Sequence, residues 1–567
     1  MRLNWDKKLH SKLSMTMLKN IASNKKFHTL LSVFILILVA GFFRFYNLNW
    51  DQGNYFHPDE RNIANAVSQI NFFSQLNPHF FAYGGFTIYL YRLAGDLLVS
   101  ITKNVAWVSN WGNIDVVGRF FSALFSTLTI IPLYFLAKKI SNKKTALLTT
   151  VLYAFTVGSI QVAHYAVTES LITLVGVSIC LFSIIILKKI SILNTLILGT
   201  VSGIGIAAKT SAISFLVMPL FSYVFSKTSP KFEFKKNLIY AVSFLIITFV
   251  VFTIFSPFTF LDWKKFMESM TYESGVATGT LPVVYTLQFD HTIPYLFQIQ
   301  NLFWQVGIDA IFCVLGFIFI LFETIKKKNK DLLIFSIFPL LYFLYVGSWH
   351  TKFIRYMVPI IPFLLIASSI FLLKIRSRFK RLGNLLIGIT IFTTIAWALA
   401  FFSIYTRTQT RIAASVWAYQ NISSGAKILT EQWDDGLPVP VGQFSPSQYQ
   451  ITPLAMYDTD NLNKISYLSY NLSSSDYIIF NSRRLYGTLI HLTDKYPITS
   501  AYYALLFEGK LGYKEVAEFT SYPSILGFKI NDDASEETFQ VYEHPKVIIF
   551  KNVEKLSKKK LIKIINE

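Results

Sequence analysis

The sequence predicts a polytopic α-helical membrane protein followed by a small mixed α/β domain, and three observations carry that reading. Hydrophobic types make up 53% of the 567 residues and charged types only 15%, where a soluble chain carries about a quarter charged. Apolar runs recur from residue 28 to residue 404, each roughly 20 residues long, as a bilayer core requires. Lys and Arg cluster between alternate runs, as they do in loops held in the cytoplasm.

The first run, about 27–48, follows a segment bearing Arg2, Lys7, Lys8, Lys12, Lys19, Lys25 and Lys26. It exceeds a signal-peptide core and shows no small-residue cleavage site, so it is expected to be an anchor with residues 1–27 in the cytoplasm. Further spans are expected at about 115–137, 145–163, 168–187, 192–208, 211–226, 237–255, 302–322, 332–348, 354–373 and 383–404, about eleven in all. Over 192–226 the chain reads either as two short spans or as one span and a re-entrant piece. Five basic groups fall in the loops this count puts inside: Lys138–Lys144, Lys188–Lys189, Lys227–Lys236, Lys326–Lys330 and Lys374–Arg381. The odd count puts the C-terminus outside.

The same clusters account for the net charge of +21. Nucleic-acid binding would need a basic face on a soluble domain, and none is legible. Cys180 and Cys313 both sit in apolar runs, so neither a disulfide framework nor a cysteine metal site is implied.

Two outer loops are long, about 49–114 and 256–301, and the first holds the aromatic stretch Phe80–Leu93, suited to an interfacial amphipathic helix. From residue 405 the composition turns to Asp, Ser, Asn, Gly and Pro. Residues 405–567 are expected to form an extracytoplasmic domain with strands at Tyr477–Phe480, Leu526–Ile530 and Val547–Phe550 and a short basic helix after Lys551. The run Glu431, Trp433, Asp434 and Asp435, with Arg483, Arg484 and Tyr486, could bind sugar but reads more simply as loop and solvated face.

Ionisable residues are costly near a membrane core, so their placement is informative. Asp59 and Glu60 follow His57-Pro58 in the first outer loop, with Arg92 and Asp96 further on; Arg119 begins the second span; His164 and Glu169 lie in an outer turn, Lys209 in another, and His350, Lys352 and Arg355 in a third. The span count gathers them at one surface. Carboxylates among cations there suit a reaction on an anionic, lipid-linked substrate, with cations stabilising a departing phosphate and a carboxylate taking a hydroxyl proton. Individually each has a plainer reading. Pro58-Asp59-Glu60 can be a helix start, Arg119 and Arg355 can snorkel to headgroups, His164 can be a packing residue, and Lys209 can cap a helix C-terminus.

These segments resemble the GT-C superfamily of integral membrane glycosyltransferases, most closely the prokaryotic relatives of protein O-mannosyltransferases and of the lipid A aminoarabinose transferase (glycosyltransferase family 39-like). The resemblance rests on Arg44–Leu48 (RFYNL), Phe56–Arg61 (FHPDER), Gly118–Leu124 (GRFFSAL), Gln161–Ser170 and Arg355–Pro362 (RYMVPIIP). It implies a GT-C transmembrane catalytic domain over 28–404, with Asp59 as the base and Glu60 assisting. It also implies that Arg119, Lys352 and Arg355 lie near the donor phosphate. His57, Arg92, His164, Glu169, Lys209 and Tyr356 complete the candidate substrate-binding set. The β-trefoil domain of the protein mannosyltransferases is not legible here, which leaves the acceptor open.

The expected activity is inverting transfer of a hexosyl or pentosyl group from a polyprenyl-phosphate monosaccharide to an acceptor hydroxyl on protein, lipid or glycan. It would take place at the outer face of a prokaryotic cell membrane, in contact with membrane lipid. No cofactor is firmly implied, and a divalent metal on Glu169 and a nearby histidine stays open. Two alternatives remain: a ligase using a diphosphate-linked oligosaccharide, and a lipid or polysaccharide transporter, which would place polar groups at the midplane.

Overall fold

The computed structural model describes residues 25–226 and 232–566. The basic groups of residues 1–24 and the pair Lys227 and Lys231 lie outside the described residues. Helices fill the chain to residue 421: α1 (Lys25–Phe45), α2 (Pro58–Gln69), α3 (Gly85–Thr102), α4 (Ile114–Leu128), α5 (Ile130–Ile140), α6 (Lys143–Ala154), α7 (Val157–Ala163), α8 (Glu169–Lys188) and α9 (Ile192–Ala208). They continue with α10 (Val217–Phe225), α11 (Phe232–Phe255), α12 (Trp263–Thr278), α13 (Leu296–Val306), α14 (Asp309–Lys327), α15 (Lys330–Val346), α16 (Ile361–Arg378), α17 (Lys380–Phe402) and α18 (Thr410–Asn421).

A helix stands at each expected span, but eleven crossings are not confirmed. Among the described residues six helical stretches are long and apolar enough to cross a membrane, or seven if α6 and α7, bent by 53°, count as one. Both helices of the 192–226 stretch are short, and a 3-10 turn at Thr210–Leu216 separates them. The expected 302–322 span is broken at Gly307, whose φ of +67° favours glycine, so α13 ends and α14 begins there. Neither long loop is a loop in substance: α2 and α3 occupy the first and α12 the second, and the aromatic stretch begins its helix only at Gly85. Each of α8, α14 and α16 carries basic residues in its last turn. The ionisable residues of the expected site lie at the other end of the bundle, as Glu169 does at the start of α8.

Beyond α18 a five-stranded mixed sheet has the order β2-β1-β3-β7-β4, with β1 (Lys427–Glu431), β2 (Gln450–Leu454), β3 (Tyr477–Phe480), β4 (Tyr513–Phe519) and β7 (Val547–Asn552). Strand β1 pairs parallel to both β2 and β3, while β7 runs antiparallel to β3 and β4. The strand expected at Leu526–Ile530 is reduced to one limb of a two-residue hairpin, β5 (Ser524–Ile525) and β6 (Phe528–Lys529). The basic tail forms a helix at Lys558–Asn566.

The domain is not a loose appendage. One hydrophobic cluster contains Ile63, Val67 and Tyr91 from the bundle end, Phe401 from α17, and Ile428, Ile479 and Ile549 from the sheet. Apolar burial stabilises by roughly 25 cal/mol per Å², so a shared core ties the sheet's position to that of the bundle end.

Candidate active site

Helix α2 begins where the sequence expects. Pro58 supplies a helical φ at N1 with no N–H to lose. His57 is the N-cap, its Nδ1 accepting from the Asp59 N–H at 3.2 Å. That gives His57 a positioning role the sequence did not assign. It is fully buried, and burial lowers its pKa to about 3, so the ring is neutral.

Consecutive helical residues point about 100° apart, and this separates the acidic pair. Glu60 turns inward, where the Arg119 guanidinium donates to it at 2.6 and 2.9 Å and also grips Asp51 with two bonds of 2.8 Å. Asp115 stands 3.4 Å from the same guanidinium, and all four side chains are 0% exposed. Trp50 lies beneath the guanidinium, 4.7 Å away. The Ala166 N–H completes the Glu60 shell at 2.6 Å. This approach requires Gly118, where a Cβ would sit 2.4 Å from the Ala166 Cβ. Burial pushes Glu60 up to about 7 against the pull of Arg119. Burial would raise Asp51 too, but Arg119 outweighs it and the net shift is downward. Arg119 is thus saturated by carboxylates and presents no surface to a donor.

Asp59 turns the other way. Arg355 Nη2 is 2.9 Å from its Oδ2, and the Tyr83 hydroxyl donates to the same oxygen at 2.8 Å. Burial alone would raise the Asp59 pKa. Arg355, then His57 and Tyr83, outweigh it and bring the value to about 2. Two further donors of Arg355, Nε and Nη1, are buried with no hydrogen-bond partner. Lys209 lies over the other side of Tyr83, 5.3 Å from the ring centroid, and pairs with Glu169 at 2.9 Å. Its helix end is held against Gly84, whose N–H donates to Ala208 O at 2.9 Å and where a Cβ would collide with Ala207 O at 2.0 Å. Glu273 on α12 completes the rim. Burial raises its pKa and Asp59 adds to the rise, while Lys209 and Arg355 oppose it.

The structure therefore brings Asp59, Arg355, Lys209 and Glu169 together and leaves most other sequence candidates apart. Tyr356, next to Arg355, packs against Trp349 and Phe353 at the edge of this group, within electrostatic reach of Arg355, Glu273, Asp59 and Glu169. Lys352 is 3% exposed and donates to His350 O at 2.7 Å, above the Phe289 ring. Arg92 pairs with Asp96 within α3 and reaches Ser68 O on α2. His164 directs both ring nitrogens at the carbonyls of Ile160 and Tyr46 and stacks on Tyr405 at 3.7 Å. Glu169, left open above as a metal ligand, pairs with Lys209. Among the described residues no group of three or more His, Cys, Asp and Glu side chains is placed to hold a metal.

The C-terminal domain closes one wall. The Tyr542 ring packs tilted against His57, 4.1 Å between centroids, and Arg484, paired with Glu537 at 2.6 Å, lies 5.9 Å from the Tyr542 ring. Glu536 accepts from the Ile354 N–H beside Arg355 at 3.1 Å. Gln161 donates to Phe539 O at 2.9 Å. The acidic run expected as a solvated face is mostly interior. Glu431 is 2% exposed and bonded to Tyr503, and Asp434 pairs with Arg411 at 3.0 Å, while Gln432 and Trp433, the latter 55% exposed, face solvent. Sequence reasoning missed Tyr83, Asp51, Glu273 and Tyr542, none of which sits in a local pattern that marks it.

Residues 111–258 match the family model described as dolichyl-phosphate-mannose-protein mannosyltransferase. Comparison with curated proteins gave no match. Among solved structures, the chain is similar to the Archaeoglobus fulgidus oligosaccharyltransferase tethered with an acceptor peptide, at 13% identity and a TM-score of 0.50, covering 93% of this chain and 89% of that one. It is also similar to ArnT from Cupriavidus metallidurans bound to undecaprenyl phosphate, at 12% identity and a TM-score of 0.48, covering 94% and 99%. The Pmt1-Pmt2 protein O-mannosyltransferase complex of S. cerevisiae, bound to its sugar donor, matches at 14% identity and a TM-score of 0.33, covering 44% and 36%. The family model over residues 111–258 and the fold shared with the oligosaccharyltransferase agree with the GT-C resemblance: the chain is a multi-pass membrane protein with that enzyme's fold.

Proposed function

We propose that the chain is an inverting glycosyltransferase built around the partly buried Asp59 carboxylate at one end of its bundle. It moves one sugar from a polyprenyl-phosphate donor to an acceptor hydroxyl at the extracytoplasmic face. The observation that carries this reading is the Arg355 fork. One nitrogen holds Asp59, and two buried donors stand free beside it, in the planar geometry that suits phosphate oxygens.

The chemistry follows from that arrangement. The Asp59 carboxylate takes the acceptor proton as the acceptor oxygen bonds to sugar C1. The bond from C1 to the phosphate oxygen breaks, and its electron pair leaves with polyprenyl phosphate. Charge arriving on the phosphate draws Arg355 away from Asp59, so the carboxylate gains basicity as the proton reaches it. Lys209 adds positive charge on the same side. Glu60 and Arg119 act at one remove by fixing the start of α2.

Tyr83 tests the tuning. Its hydrogen bond favours the ionised carboxylate, so Tyr83→Phe raises the Asp59 pKa from about 2. The acid limb of kcat/KM moves upward with it by about one to two pH units, the equivalent of the roughly 1.5–3 kcal/mol that a hydrogen bond to a charged group contributes. An unmoved limb would detach Tyr83 from the base.

The donor class is tested with purified protein in lipid discs. A polyprenyl-phosphate monosaccharide is expected to support release of polyprenyl phosphate and transfer of the sugar. Turnover only with a polyprenyl-diphosphate oligosaccharide would replace this reading with that of a glycan ligase.

A further inference from the structure

A second polar site lies along α2 from Asp59. Tyr55, Arg61, Asn62, Asn65, Asn110 and Trp111 line an open cleft of about 230 Å³. That is below the roughly 300–1,000 Å³ of pockets for drug-sized ligands and suits a single sugar ring. At a rise of 1.5 Å per residue, Asn62 stands about 4.5 Å and Asn65 about 9 Å along the axis from Asp59. Asn62 is also only about 60° round the helix from it, so it forms the corner between the two sites.

The composition is specific. Trp111 is 60% exposed, and its backbone is held at φ +58°, a conformation uncommon for a non-glycine residue. Tyr55 packs edge-on against its ring at 5.4 Å and is anchored by a 3.0 Å bond to Gly112 O. The indole therefore stands as a fixed apolar platform at the rim. Around it are three side-chain amides, each able to donate and accept. Asn110 and Asn65 meet weakly at 3.4 Å, whereas Asn62 is exposed. Arg61 is fixed by Asp435 of the C-terminal domain at 2.7 Å, so that domain positions one lining residue of the cleft. An aromatic face ringed by neutral amides matches a carbohydrate, whose apolar C–H face and hydroxyl rim need both. An anionic headgroup would want more cations than Arg61, and an apolar chain would leave the amides unpaired.

We infer that this cleft is a saccharide subsite, holding the sugar next to the hydroxyl that Asp59 activates. The acceptor is then a glycan or glycoconjugate. The assignment of the bound sugar to the acceptor rests on the transferase reading above; the binding of a sugar does not.

The experiment is saturation-transfer NMR on the full chain in lipid discs, free of sugar detergent. The probes are the methyl glycosides of hexoses, N-acetylhexosamines and pentoses. Transfer to at least one glycoside is expected. Trp111→Ala and Asn62→Ala should each weaken binding about tenfold, as loss of an aromatic or polar anchor does, and Trp111→Tyr should largely restore it. Asn62→Ala lies on an exposed helical face and tests the site even if Trp111→Ala perturbs its loop. No transfer from wild type, or transfer equal in both alanine variants, overturns the inference and leaves the role of Asp59 untouched. Transfer that depends on Trp111 in a protein whose donor turnover ignores Asp59→Asn keeps the subsite and overturns the transferase reading.

Discussion

Arg119→Leu is expected to leave little folded protein. The substitution removes the cation from a cluster in which Asp51, Glu60 and Asp115 are all fully buried. Stripping one partner from a buried ion pair typically costs about 3–5 kcal/mol, because an uncompensated charge stays behind, and here three carboxyl groups lose the same partner. Arg119→Lys should recover only part of the loss. A single ammonium cannot reproduce a fork that meets Asp51 and Glu60 at once. The measurement is recovery of monodisperse protein after a temperature ramp. A stable Arg119→Leu protein, impaired only in donor binding, would return this arginine to the phosphate site.

Asp59→Asn should fold normally and lose about 10²–10⁴ in kcat, the range for removing a positioned base. The amide is isosteric and can still accept from Tyr83, and Arg355 is partly exposed rather than sealed off, so the charge left behind is not stranded as it is around Arg119. Arg355 then keeps all its donors for the phosphate, so donor KM should hold or fall while kcat drops. That split separates a chemical role from a structural one. Near-wild-type kcat from a folded variant would remove Asp59 from the mechanism.

What the sequence could show follows from the range of each interaction. The start of α2 was legible because its signals are local: a proline at N1 and acidic residues in the first turn. Which carboxylate does what was not legible. Glu60 and Asp59 are adjacent in sequence, but their partners, Arg119 and Arg355, lie far along the chain and on different helices. Tyr83 is one of 30 tyrosines, and only the approach of Gly84 to the end of α9 sets it beside Asp59. The parallel strands KILTE and QITPL escaped notice because neither carries a continuous apolar run, and QITPL contains a proline. Charge and turn composition separated the C-terminal domain from the spans. They could not show that Tyr542 and Glu536 return to the bundle end, because that contact is tertiary.

Loss of activity in Asp59→Asn would not by itself distinguish a base from a nucleophile, since a carboxylate can serve as either. The configuration at sugar C1 does distinguish them. With a polyprenyl-phosphate donor of defined anomer, the product of a single turnover is examined by NMR. A base that activates the acceptor for one direct displacement inverts C1, and inversion is the predicted result. Retention would require two displacements through a glycosyl-enzyme on a carboxylate and would contradict the role given to Asp59.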